Sequence, residues 1–480
     1  MKKSFIVLVI TIFYMIMTIG IVFAEHNTTE DILGIWLGTL KVSGVPEQTV
    51  YLRVAQNSDG SLASRLGSPD RGAADIWASK TEFNNGKLFC EIKDVATFTG
   101  SLNNKGKLVG EFIIPSISAT AITVTMDRTD TIPKITRQQD PKPPFPYKEE
   151  DVTYENKAGG VTLSGTLATP QGEGPFPAVI LITGSGPQDR NETVAGHHPF
   201  WILSDYLARK GIAVLRVDDR GVGGSTGNVD FSTSADFCGD VLAGVEFLKN
   251  RKEINPRQIG LIGHSEGGLI APMAATKSAD IAYIILMAGP GRPGDEIVLL
   301  QTALIGKVSG QKDSDIVRIQ SIMKKAFAVL KQETDATVIQ SKFHEIAVNA
   351  YNDLSDSEKK TIRSPKIIED SLKSLSTPWF HFFINYDPQP ALKSVTCPVL
   401  ALNGEKDLQV PPKENLRAIQ TALTEGGNKD FTAKEMPNLN HLFQNSRTGS
   451  PAEYATIQET IAPSVLQTIG DWIIKHTAPQ

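Results

Sequence analysis

Ser265 lies in Gly263-His264-Ser265-Glu266-Gly267, a G-x-S-x-G pentapeptide. The apolar run Ile259-Gly260-Leu261-Ile262 precedes it, and the small-residue run Gly268-Leu269-Ile270-Ala271-Pro272-Met273-Ala274-Ala275 follows. These flanks predict a strand, a tight turn and a helix start, the arrangement that lifts a serine hydroxyl clear of a sheet. The flanking glycines fit it, because side chains there would collide with the neighbouring strand and helix. The chemistry open to such a serine is attack on a carbonyl carbon.

A serine hydroxyl is a weak nucleophile at neutral pH; it needs a base in reach, and the base needs an orienting acid. After a serine presented on a strand–turn–helix, the acid and then the histidine follow in chain order. Asp407 ends Asn403-Gly404-Glu405-Lys406-Asp407, just past the apolar run Pro398–Leu402. A loop at a strand's carboxyl end sets a carboxylate at the rim of the active face. Glu405 competes in the same loop, and the G-x-x-D spacing favours Asp407. Of eight histidines, only His441 and His476 follow Asp407, and His476 is almost at the end of the chain. His441, in Pro437-Asn438-Leu439-Asn440-His441-Leu442-Phe443, is therefore the expected base. An oxyanion hole needs two backbone N–H groups aimed at the developing charge. Glu266, directly after the serine at a helix start, is expected to give one. The loop Thr183-Gly184-Ser185-Gly186-Pro187 gives the other, from Ser185 with Gly186 next; it has no P-loop lysine for a phosphate.

The elements that must position these residues alternate. Apolar strand candidates are 161–167, 178–182, 213–217, 259–262, 283–287 and 399–402, with a last strand near 430–436. Helical stretches such as 200–209 and 236–250 lie between most of them, which predicts a mostly parallel sheet covered on both faces. Residues 296 to about 385 hold no good strand. Ile316, Ile319, Met323, Phe327 and Leu330 fall at helical spacing, with Asp313 or Ser314 as a cap. A helical insertion beyond the strand ends would form a lid.

Residues 25–132 read as all-β. Alternating runs such as 49–54, 88–92 and 121–125 are separated by turns at Ser58-Asp59-Gly60, Asn84-Asn85-Gly86 and Asn103–Gly106, which predicts a small antiparallel barrel or sandwich. Trp36, in Gly34-Ile35-Trp36-Leu37-Gly38, is read as a core aromatic in preference to the plug of a lipocalin-like barrel. Residues 133–149 carry Pro141, Pro143, Pro144 and Pro146 and read as a semi-rigid linker. Residues 150–480 then form the second domain.

Met1-Lys2-Lys3-Ser4 and the uncharged stretch Phe5–Ala24 read as a signal peptide, residues 1–24, cleaved before Glu25. An uncleaved anchor is the competing reading. No cysteine follows Ala24, so a lipoprotein anchor is not expected, and the remainder has no apolar run of spanning length. Cleavage removes two lysines and takes the net charge from -5 to 46 - 53 = -7. No basic stripe appears, which disfavours a nucleic-acid partner. Three cysteines allow one disulfide at most, and Cys397 reads as a small buried hydrophobe. No H-E-x-x-H and no cysteine–histidine cluster is present, so no metal or cofactor is expected.

Thr183–Asn191 resembles the G-S-G-P-Q-D-R loop of a bacterial esterase branch of the α/β-hydrolases, a branch also described as serine aminopeptidase-like or dienelactone hydrolase-like. Asp218-Asp219-Arg220-Gly221-Val222-Gly223-Gly224-Ser225 resembles that group's D-x-R-G-x-G-x-S turn. The Gly263–Gly268 and Gly404–Asp407 segments are similar too, as are Pro378-Trp379-Phe380 and Tyr386-Asp387-Pro388 in the insertion. The resemblance spans 150 to 475. It implies an α/β-hydrolase fold with a helical lid, carboxylesterase activity on short acyl esters, and Ser265, Asp407 and His441 as triad. Gln188, Asp189, Arg190, Asp219 and Arg220 are then loop-holding groups. The expectation is a secreted or periplasmic serine esterase acting on a small-molecule ester without stable membrane insertion. A serine exopeptidase, with Glu266 or lid acids anchoring a substrate amine, and a non-catalytic binding protein on the same scaffold are the alternatives.

Overall fold

The computed structural model describes residues 28–478, apart from 42–46, 58, 70–72, 93–95, 115–120 and 133–136. The expected signal segment, and the start of the expected linker, lie outside the described residues. The chain divides into two compact units; the first ends at Ile132, and Pro133–Gln480 belong to the second.

In the first unit the strands are β1 Gly34–Leu40, β2 Gln48–Gln56, β3 Leu62–Ser68, β4 Ala73–Trp77, β5 Lys80–Asn84, β6 Lys87–Ile92, β7 Ala96–Leu102, β8 Leu108–Ile113 and β9 Ile122–Thr129. They form one sheet in the order β4-β3-β2-β1-β9-β8-β7-β6-β5. Period-two alternation selects its inner face: Ile122, Val124 and Met126 of β9 are buried and their neighbours exposed. The sheet curls back on itself, since Ala78 N–H reaches Ser64 O at 2.9 Å and the Ser64 and Thr81 hydroxyls meet at 2.8 Å. Of the two expected forms this is the barrel-like one. Trp36 is 1% exposed within the core, and its indole N–H donates to Ile32 O.

The second unit is built on β10 Tyr147–Asn156, β11 Val161–Pro170, β12 Phe176–Ile182, β13 Ala213–Val217, β14 Ile254–His264, β15 Ile281–Met287, β16 Val399–Gly404 and β17 Phe431–Met436. The order is β10-β11-β13-β12-β14-β15-β16-β17. β10 and β11 form an antiparallel hairpin, β11 pairs antiparallel with β13, and the remaining neighbours are parallel. Two apolar clusters cover opposite faces of the central strands. Ile180, Leu261 and Ile284 face one, and Val179, Ile262 and Ile285 the other. This is the α/β-hydrolase fold, with β14 carrying the serine at its carboxyl end.

Three expectations need correction. The strand β10 begins at Tyr147, so 147–149 are sheet and not linker. Residues 137–146 are no free spacer either: Arg137 donates to Ala195 O and Ala455 O, and Gln139 to Ile461 O. The proline run supplies stiffness, and these buried polar contacts fix it to its own unit. In the insertion the helix Asp313–Gln332 is capped by Lys312, with Asp313 already inside it. Asp313 and Asp315 in its first turn suit the positive end of the helix dipole. The insertion is otherwise helical throughout, from Gly294–Val308 to Gln389–Ser394, between β15 and β16.

Candidate active site

Ser265 sits between β14 and the helix Glu266–Ala275 with φ 52° and ψ -117°. A non-glycine residue held there costs about 1–3 kcal/mol, so the surroundings must enforce the turn. They do so by close approach. A Cβ on Gly263 would lie 2.0 Å from Gly267 O, and one on Gly267 2.2 Å from Ile182 O. Ser265 N–H is anchored to Met287 O at 2.8 Å on the neighbouring strand. The strain therefore belongs to the sequence G-x-S-x-G between two tightly packed elements.

Asp407 and His441 meet: His441 Nδ1 is 2.8 Å from Asp407 Oδ2, and both residues are buried. The carboxylate is held from four sides. Oδ1 accepts from Gln409 N–H and Val410 N–H, and Oδ2 from Asn403 Nδ2 as well as the imidazole. Its acceptor sites are filled and its orientation fixed, which leaves Nδ1–H on the histidine and Nε2 free as a base. Glu405 does not compete, because its side chain accepts from Asn438 N–H and so braces the His441 loop. His476 instead bonds Trp472 O. No hydrogen bond joins Ser265 to His441, and nucleophile–base bonds of this kind commonly tighten only when substrate arrives.

The serine and histidine loops are tied together by a residue that sequence reasoning passed over. His264 Nε2 is 2.9 Å from His441 O, and the two rings lie 4.8 Å apart between centroids. His264 Nδ1 contacts Glu192 Oε1 at 2.8 Å, and the same oxygen accepts Gly184 N–H at 2.7 Å. The signal was present, since His264 is the x before the serine in the pentapeptide. Its partner is 72 residues away, a separation no local pattern reveals.

The loop expected to hold the oxyanion abuts the serine at Gly184, where a Cβ would come 3.3 Å from Ser265 Cβ. Gly184 N–H is taken by Glu192; Ser185 and Gly186 are exposed, and neither N–H is bonded among the described residues. The N–H of Glu266 lies in the first turn of its helix, where donors have no intrahelical partner. The predicted supporting residues hold the loops. Asp219 accepts from Thr183 Oγ1 and Gln188 N–H, and Asp189 from Asn191 N–H and Thr193 N–H. Arg190 pairs with Asp218 and Asp151, and Arg220 with Asp240 through both Nε and Nη2. The hydrogen bonds to Asp218 raise the pKa of Arg190; burial opposes ionisation of Asp218, but its hydrogen bonds to Arg190 and Gly224 hold that carboxyl below the usual range.

Glu266 carries a second feature. Its side chain is buried, and Oε1 accepts from Ser234 Oγ at 2.6 Å and from Trp379 Nε1, on the inserted helix Pro378–Asn385, at 2.8 Å. Burial raises its pKa, against these hydrogen bonds and one from Ser185. Burial likewise raises Asp219 well above the usual carboxylate range, with Glu266 and Glu192 adding to it against the Thr183 and Gln188 bonds. Beside Gly184 and Glu266 a cavity of about 40 Å3 is walled by Phe237, Val241 and Ile270. Among the described residues no cluster of three histidines, cysteines or carboxylates is placed to hold a metal ion.

The sequence matches the family described as serine aminopeptidase, S33, over residues 200–447. The esterase EstD of Thermotoga maritima is 26% identical over 365 residues, covering 73% of this chain and 76% of EstD. Among solved structures, the α/β hydrolase GrgF from Penicillium sp. sh18 is 16% identical with a TM-score of 0.42, covering 70% of this chain and 100% of GrgF. Est1E from Butyrivibrio proteoclasticus, solved with ferulic acid bound, is 17% identical with a TM-score of 0.41, covering 68% and 100%.

Proposed function

Because this chain belongs to the serine aminopeptidase S33 family of α/β hydrolases, we propose that it is a serine carboxylesterase acting through Ser265, His441 and Asp407. His441 takes the Ser265 proton as the hydroxyl oxygen attacks the ester carbonyl. The Glu266 and Ser185 N–H groups, with Gly186 beside them, receive the tetrahedral oxyanion. His441 then protonates the leaving alcohol, and afterwards draws a proton from the water that releases the acid. Asp407 keeps the imidazole in the Nδ1–H form and stabilises imidazolium. The observation that carries this reading is the buried 2.8 Å contact between His441 and Asp407, on a loop bonded to the residue before Ser265.

One observation favours an ester over a peptide. An exopeptidase would require a carboxylate open to a substrate amine, and Glu266 Oε1 is already engaged by Ser234 and Trp379. The similarity to EstD points the same way. The apolar stretch Phe5–Ala24 supports export of the protein. No helix among the described residues is long and apolar enough to cross a membrane.

Hydrolysis of p-nitrophenyl acetate, butyrate, octanoate and palmitate, beside Ser265→Ala, tests the proposal. Turnover is expected on the two short esters and absent in the variant. Turnover of aminoacyl anilides with none of the esters would replace the esterase reading with the exopeptidase one.

A further inference from the structure

We propose that Glu192 and His264 form a second, charged pair that positions the base from behind, with His264 carrying a proton on both ring nitrogens. The proposal rests on the reading of Ser265 and His441 given above. Its geometry, however, stands apart from that reading. The partners of His264 are a carboxylate oxygen at Nδ1 and a backbone carbonyl at Nε2. The carbonyl cannot donate, so Nε2–H does. Glu192 Oε1 also accepts Gly184 N–H, the two-donor pattern of an ionised carboxylate, and beside an ionised Glu192 the ring that satisfies both contacts is imidazolium. A neutral ring there would leave the Nδ1 lone pair facing a carboxylate oxygen in a buried site, at a cost of about 1–3 kcal/mol.

The surroundings keep the pair dry. His264 is 5% exposed and Glu192 2%. Around them stand Phe200, Leu203, Met287, Leu442, Phe443 and Ile461, from the helix after the loop, from β15 and from the His441 segment. The titratable groups facing His264 are Glu192, His441 and, further off, Asp407. Burial works against the charged ring, and the Glu192 carboxylate, the His441 carbonyl and Asp407 together outweigh it, so the pKa of His264 lies above its ordinary value.

The pair connects the three moving parts of the reaction. Glu192 holds the oxyanion loop through Gly184 N–H, His264 is the residue before the nucleophile, and its Nε2–H fixes the main chain of the base. Glu192 itself is held at φ 52°, a non-glycine residue in the left-handed region. That is the kind of local cost retained where the resulting geometry is used. Glu192 and His264 touch no reacting atom in this scheme; they are positioning residues.

The test uses the full chain, with 15N-labelled histidine and the isosteric variant Glu192→Gln. In the wild type at about pH 8, where an ordinary histidine is neutral, the His264 ring is expected to show protons on both nitrogens. A bare ring nitrogen there would overturn the proposal, whatever the variant does. In Glu192→Gln, kcat per fluorophosphonate-titrated site is expected to fall by about a hundredfold with KM unchanged. A purely structural role would lower the number of titrated sites and leave kcat per site where it was, and that result would also overturn it. A wild type that turns over no ester would bring down the Ser265 reading alone, since the ring spectrum reports on the pair by itself.

Discussion

Ser265 and Asp407 were legible as candidates from the loops that carry them, and His441 from chain order, as the histidine after Asp407 that does not lie near the end of the chain. The residues that orient them were not. Asn403 and Gln409 fix the Asp407 carboxylate, and Glu192 and His264 link three loops, through contacts that exist only once the sheet has formed. At this scale the expected losses differ in kind. Asp407→Asn keeps the size of the side chain but favours the wrong imidazole tautomer, and kcat on p-nitrophenyl butyrate should fall by about 10^4-fold with the protein still folded. Gly263→Ala adds a methyl 2.0 Å from Gly267 O. Urea unfolding of that variant should show a loss of about 2–3 kcal/mol, where an ordinary surface change would show almost none.

The elements were readable wherever one face or both are continuously apolar. The strands β12 to β16 announce themselves as short apolar runs, and the insertion as a stretch with helical spacing. The hairpin β10–β11 was half missed because Tyr147-Lys148-Glu149-Glu150-Asp151 is mostly charged, an edge strand paired on one side. The insertion packs its apolar side chains, Phe327, Phe380 and Phe383 among them, into the main core, and one polar contact near the site, an indole N–H meeting a buried carboxyl, was invisible in the sequence. That contact has a pH signature. Burial raises Glu266 above the unfolded value, so the folded state holds its proton longer than the unfolded state does. Stability from this group is then complete below the unfolded pKa and is lost as pH rises through the folded one. Glu266→Gln keeps an acceptor for Ser234 and Trp379 without a charge. Its melting temperature, measured from pH 4 upward, should gain on the wild type as pH rises; a constant difference would mean that Glu266 does not titrate in this way. A different element relies on a charge that is paired: Arg220→Met strands Asp240, whose remaining partner in the cluster is Asn156, and should cost about 3–5 kcal/mol in chemical unfolding.

Taken whole, the chain is two compact units, each with its own apolar core. Calorimetry should therefore resolve two transitions, and Trp36→Ala, which empties a site 1% exposed, should lower one of them by the equivalent of about 3–5 kcal/mol while ester turnover persists. A single transition shifted as a unit would contradict that division. All residues of the proposed mechanism belong to the second unit, and the central claim is that its Ser265 is an activated nucleophile. The most direct measurement is reaction of the protein with a fluorophosphonate, followed by mass spectrometry of the peptide that carries the adduct. One adduct per chain is expected, on Ser265, and lost in His441→Ala. An intact, folded protein that takes up no label, or takes it on another serine, would contradict it.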